Sequence, residues 1–228
     1  MTTATTTKQL QICRIKFPEI KLQTRDAHKL RGYFGTLFKE HSPMLHNHYD
    51  DGSFRYKYPT IQYKVLQNTP MLVGIDEGAE LLPKLFLKIK ELDISGKKYS
   101  ISSKNIELKN EETGYSNQLQ EYSFATLWMA LNQKNYPKYQ NFKTKTEKEA
   151  MLNAILVGHI LSFFRNTNIE LDENERLMAK VNLQEKSTLF KENKMVAFTG
   201  SFIVNAKLPS EIGLGKSVSR GFGTIMAS

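Results

Sequence analysis

Cysteine is almost missing: Cys13 stands alone among 228 residues. One thiol excludes an internal disulfide framework and every metal site built on several cysteines. Cys13 itself reads as a small buried strand residue. No apolar run approaches the ~20 residues of a membrane helix, so no spanning segment is expected. The opening Met1-Thr-Thr-Ala-Thr-Thr-Thr7 is polar and lacks the apolar core of a secretory signal. Together these absences favour the cytoplasm of a reducing cell. No low-complexity block or Pro/Gly-rich linker divides the chain. Its length suits one large core or two small ones, since domains run about 100–150 residues.

Acidic residues are the minority. Thirty-two Lys and Arg face 23 Asp and Glu, a formal charge of +9 and a pI near 9.4. A basic chain of this size suits nucleic acid, because phosphate contacts release condensed counterions. A merely soluble, Lys-rich protein has the same composition, so the placement of the charges has to decide.

The pattern along the chain predicts two similar halves. Leu10–Phe17 alternates apolar and polar residues as a half-buried strand does. Arg25 to Phe38 carries Leu30, Tyr33, Phe34, Leu37 and Phe38 at helical steps. Strands over Thr60–Leu66 and Met71–Ile75 follow, with Asn68 and Pro70 marking their turn. A helix from Ala79 to Ile89 comes next, Asp76 and Glu77 placing acids at its positive end. Strand-like segments around Tyr99–Ile101 and Asn105–Leu108 complete a β-α-β-β-α-β order, that of a ferredoxin-like (RRM-like) unit. Polar, turn-prone Lys109–Tyr115 marks a seam, giving domains 1–112 and 113–228.

The second half starts likewise: a strand over Glu121–Trp128, a helix over Ala150–Phe164, then strands Leu177–Leu189 and Met195–Val204. The expected second helix is short or missing, and a glycine-rich loop stands in its place. The fold class is therefore α+β, with tandem ferredoxin-like units and a C-terminal glycine-rich loop.

That loop, GLGKSVSRGFG over residues 213–223, holds four of the 13 glycines. Gly213, Gly215, Gly221 and Gly223 permit positive φ and close backbone approach, so N–H groups could converge on an anion. Lys216 and Arg220 add charge, while Ser217 and Ser219 can donate to phosphate oxygens. It is no Walker loop, because Ser210 sits where the first glycine belongs, and its third glycine is misplaced for a dinucleotide fingerprint. An RNA-backbone clamp and a tight β-connection both remain open.

LHNHYDDGSFRYKYPTIQYK, residues 45–64, sets His46 and His48 beside Asp50 and Asp51 and then basic and aromatic residues. Two histidines at strand-like spacing are too few for zinc, which takes three or four protein ligands; with the aspartates a metal-dependent nuclease stays conceivable. A solvated loop is the plain alternative. Acid–base chemistry is the third: imidazoles near pH 6.5 can take a proton from an RNA 2′-OH and return one to the leaving 5′-oxygen. Arg55, Lys57 and Lys64 could neutralise the transition-state charge. Such chemistry needs neither metal nor cofactor.

Paired ferredoxin-like units, a histidine loop after the first helix and a terminal glycine-rich loop resemble the CRISPR-associated endoribonucleases that process repeat precursor RNA, of the RAMP fold. LHNHYDDGSFRY follows the family pattern of Leu-His, seven residues, then Phe-x-Tyr, which implies His46 as general base. GLGKSVSRGFG is similar to the family's signature loop, implying that it approaches RNA. The resemblance implies metal-independent cleavage at or beside a repeat hairpin, giving a 2′,3′-cyclic phosphate and a 5′-OH. CRISPR repeat RNA is the implied partner, with an effector complex and a second copy of the chain as further candidates. The chain departs from the pattern at Gly52, where some members carry lysine, so Arg55 or Lys57 would fill that role and His48 the second catalytic one. Where some members place a helix tyrosine, Leu30-Arg-Gly32 leads to Gly35, with Tyr33 and Phe34 beside it. A non-catalytic RNA-binding subunit of a ribonucleoprotein is the alternative.

Outside these motifs, His28 is expected at the surface, Trp128 in the core and His159 as a satisfied core histidine. Asn132–Lys145 mixes four lysines with three aromatics and no acid, a secondary RNA-contact candidate.

Overall fold

Residues 6–37, 58–87, 89–190 and 193–228 are described by the computed structural model. They group into two compact units. An N-terminal unit comprises Gln9–Glu111 with Val218–Gly221, and a C-terminal unit comprises Met1–Lys8, Glu112–Ser217 and Phe222–Ser228.

In the N-terminal unit, strand β1 (Thr7–Lys16) leads to helix α1 (Ala27–Leu37). Asp26 seeds that helix: its carboxylate accepts the Gln23 N–H at 3.0 Å and pairs with Lys29 at 2.7 Å. Ala27, Leu30 and Phe34 form its buried stripe. Strands β2 (Ile61–Leu66) and β3 (Thr69–Ile75) form a hairpin. Its turn residues Gln67 and Asn68 both take positive φ, which matches strand twist in a two-residue turn. Helix α2 (Glu77–Phe86) follows, two residues earlier than its apolar pattern suggests, because Glu77 and Glu80 complement its N-terminal dipole.

Strands β4 (Glu91–Ile94) and β5 (Lys97–Ser100) make a separate small hairpin, with Ser95 and Gly96 at positive φ. The sequence pattern does not reveal β4, whose four residues are too few to show a period. Strand β6 then runs from Asn105 to Phe124. Lys109–Tyr115, expected as a seam, lies inside this strand. Its polarity has a physical cause: Glu107 and Glu111 reach the buried Arg14 of β1, at 3.4 and 2.5 Å.

Strand order in the N-terminal unit is β2-β3-β1-β6, the ferredoxin-like order. One sheet face packs Cys13, Ile15, Tyr63, Val65 and Leu72 against Leu30, Phe34, Leu82 and Phe86. The Phe34 ring lies 4.6 Å from Phe86 and 5.9 Å from Tyr63.

The C-terminal unit repeats the order. The later part of β6 pairs with β8 (Asn193–Lys207), β8 with β7 (Ala179–Phe190), and β9 (Ile225–Ala227) closes the far side of β6. One strand is therefore the last of the first unit and the first of the second. Short helix α3 (Tyr136–Asn141) precedes α4 (Lys145–Asn166), which begins five residues before its apolar pattern. A reciprocal capping box explains the extension: Glu147 N–H donates to Thr144 Oγ1 at 3.2 Å, and Thr144 N–H to Glu147 Oε2 at 3.1 Å. Between β8 and β9 the described residues hold no α-helix, only the glycine-rich loop with a 3-10 turn at Val218–Arg220. Tandem ferredoxin-like units, the second without its last helix, are thus the observed α+β fold. No described helix is long and apolar enough to cross a membrane.

Candidate nucleic-acid interface

The glycine-rich loop is a tied-down ribbon. Gly213 bridges Thr224 in antiparallel fashion, and Leu214 N–H donates to Gly223 O at 2.8 Å. Glu211 N–H donates to Ile225 O at 2.7 Å and Ile225 N–H to Ile212 O at 2.9 Å. Lys216 N–H reaches Met129 O at 3.2 Å, and Gly223 N–H reaches Leu127 O at 2.9 Å. The glycine pattern allows consecutive loop amides to converge on an anion or to close a tight β-connection. In the fold, the amides of Leu214, Lys216, Gly221, Gly223 and Thr224 already donate within the protein.

Close packing gives the glycines their reason. A Cβ on Gly223, where φ is +63°, would meet Leu214 O at 2.0 Å. One on Gly215 (φ +93°) would sit 2.8 Å from Trp128 Nε1. The ribbon anchors through buried Ile212, Leu214 and Val218, while Lys216 is exposed and Ser217, Ser219 and Arg220 are half-buried.

In the C-terminal unit this backbone rests on Trp128, fully buried and stacked on Phe124 at 5.1 Å. His159 of α4 meets the Trp128 ring edge-on at 5.7 Å. Trp128 Nε1 and His159 Nδ1 are buried without a hydrogen-bond partner among the described residues. Burial first, then the charge of Lys216, pushes the His159 pKa down to about 4. The half-buried imidazole is neutral at ordinary pH.

In the N-terminal unit the turn Val218–Arg220 packs with α1 and β2. Gly221, at φ +86°, would carry a Cβ 2.8 Å from the Ala27 Cβ and 3.2 Å from Tyr63 O. One helical turn beyond Ala27 stands Arg31, half-buried. Desolvation, and next the charge of Arg220, hold the Arg31 guanidinium below its ordinary pKa. In one dimension Arg31 resembles any basic residue on a helix.

Lys64, expected to help neutralise a transition state, is fully buried on β2, as is Gln62, whose amide donates to Tyr58 OH at 2.8 Å. Tyr33 OH donates to Glu91 O at 3.2 Å, and Phe34 is core. His46, His48, Arg55, Lys57 and the neighbouring His41 lie outside the described residues. In the Asn132–Lys145 segment, Tyr139 is buried and donates to Glu185 at 3.1 Å, whereas Tyr136 is exposed. His28 is at the surface.

Comparison with known proteins places this geometry. Residues 8–112 match the family model of the Cas6b N-terminal domain, and residues 114–228 that of the Cas6b C-terminal domain. The chain belongs to the Cas6b family. A crystal structure of Cas6b superposes with a TM-score of 0.91 at 37% identity, over 97% of this chain and 100% of the other. A second, of the CRISPR RNA processing endoribonuclease Cas6b, gives 0.78 at 32% identity over the same shares. An uncharacterized protein of Methanocaldococcus jannaschii is 33% identical over 143 residues, 63% of this chain and 96% of that protein. Cas6b membership bears out the repeat-processing endoribonuclease family that the histidine and glycine motifs resembled.

Proposed function

We propose that this Cas6b chain is an endoribonuclease that cuts CRISPR repeat precursor RNA without a metal, by attack of a ribose 2′-OH on the adjacent phosphorus. His46 takes the 2′-OH proton as the new 2′-O–P bond forms. His48 returns a proton to the departing 5′-oxygen as the P–O5′ bond breaks. The products are a 2′,3′-cyclic phosphate and a 5′-OH. Arg55 and Lys57 offset the charge gained by the phosphorane-like transition state.

Membership of the Cas6b family over both domains, beside a relative described as a CRISPR RNA processing endoribonuclease, carries this reading. The imidazole pair in LHNHYDDGSFRY supplies the groups such a transfer needs, each proton transfer contributing roughly 10²–10⁴-fold. Exposed Lys216 with Ser217, Ser219 and Arg220 would hold the RNA backbone, and the loop glycines hold those side chains in place.

The 2′-OH requirement is the sharpest test. Repeat RNA with one 2′-deoxy sugar upstream of the cut should bind normally and stay intact, while all-ribose RNA yields a cyclic phosphate end. Cleavage of the deoxy substrate at that site would sink the proposal. Tight binding with no cutting of either RNA would make the protein an RNA holder.

A further inference from the structure

The Gly221 backbone is pressed onto the first turn of α1, and its clearance from the Ala27 Cβ leaves no room for a side chain. Ala27 and Arg31 are four residues apart, so they lie one above the other on the same helix face. Arg220 immediately precedes Gly221, and its turn packs with α1 and β2. Tertiary structure thus sets a loop arginine beside the glycine that touches Ala27, and a helix arginine one turn above Ala27, within the N-terminal unit.

We propose that Arg31 and Arg220 form one seat for a phosphodiester of the bound RNA, gripped by two guanidinium forks. This rests on the RNA-binding reading above and adds Arg31 to it as a positioning residue. Guanidinium suits such a seat because its planar fork matches two phosphate oxygens, it is weakly hydrated, and it keeps its charge when half-buried. The charge of Arg220 already acts unfavourably on the Arg31 guanidinium in the free protein, after the larger cost of its desolvation. An anion between them relieves that repulsion, whatever else each guanidinium touches. A lone surface arginine would be an independent contact; a shared phosphate makes the two interdependent.

Binding is read by fluorescence anisotropy on repeat RNA carrying the 2′-deoxy sugar, so that cleavage cannot blur affinity. Arg31→Ala and Arg220→Ala should each weaken binding about tenfold, the loss of one charge-assisted contact. Each should also flatten the log K against log salt slope by about 0.7–0.9. The double variant should fall well short of the hundredfold product, because one seat is lost only once. Arg31→Lys, which keeps the charge and loses the fork, should bind between wild type and Arg31→Ala, and guards against a merely misfolded variant. Wild-type affinity in Arg31→Ala, or losses that multiply fully, would overturn the shared seat while RNA binding stands. Failure of the wild type to bind repeat RNA would overturn both.

Discussion

The two units share a strand order and differ at one crossing. After its third strand the N-terminal unit builds α2; after the matching strand, β8, the chain builds the glycine-rich ribbon, whose turn Val218–Gly221 groups with the N-terminal unit. Both crossings lie tight against their sheets, and glycine makes that possible in each. A Cβ on Gly74 would meet Gly78 O at 2.4 Å, and one on Gly78 would meet Thr60 O at 2.3 Å. What differs is the outward face. Helix α2 buries Ala79, Leu82 and Phe86 and contributes packing. The ribbon keeps three apolar anchors and turns Lys216, Ser217, Ser219 and Arg220 to partial or full exposure. Where one repeat has a helix, the other has a charged, hydrogen-bonded loop.

The comparison breaks most severely at Gly78. Gly78→Val should destabilise by about 2–4 kcal/mol, since overpacking here strikes backbone, and calorimetry should show a fall in Tm of several degrees. RNA affinity per folded molecule should be unchanged; a selective loss of affinity would contradict the division of labour.

Acid titration probes the floor of the ribbon. Free in the unfolded chain, the His159 imidazole takes its proton at 6.5; in the fold it does so only near 4. Between those values the unfolded state binds more protons, so stability falls as pH drops, by up to about 3 kcal/mol. Above pH 6.5 this residue contributes no slope. Unfolding curves of His159→Leu should lack that share of the pH dependence, and an unchanged profile would show that His159 titrates normally.

Gly215→Ala sharpens the contrast at about 1–2 kcal/mol, since a positive φ and the Trp128 indole both oppose a methyl group. Unlike Gly78→Val it should also weaken RNA binding several-fold by shifting Lys216, which anisotropy would read. The smallest effect is favourable. Gly158 is exposed on α4 with nothing within 4 Å of a built Cβ, so Gly158→Ala should add about 0.5–1 kcal/mol.

Much of this was legible in one dimension, for physical reasons. Helix α4 and the β7–β8 hairpin announce themselves by local periodicity, and the missing last helix by glycine density. His159 sits in an apolar stretch, yet it is half-buried and its Nδ1 finds no partner among the described residues, so it is not the satisfied core histidine its surroundings imply. Strand β6 was legible only in pieces, because its polar centre is a strand by virtue of Arg14, a residue distant in the chain. Likewise Lys64 looks like an exposed base beside a histidine loop, yet it is fully buried on β2. Arg31 gains meaning only when Gly221 is seen against Ala27. The glycines were legible as points of close backbone approach, but what they approach, Trp128 and Leu214, was not.

The measurement that bears most directly on metal-free cleavage by His46 is single-turnover cutting of CRISPR repeat RNA in excess EDTA, by wild type and by His46→Ala. Wild-type cutting should be undiminished in the chelator, and the variant's rate should be at least about 10²-fold lower, with RNA affinity retained. Loss of wild-type cutting on chelation, or a variant that cuts as fast as the wild type, would contradict the proposed chemistry.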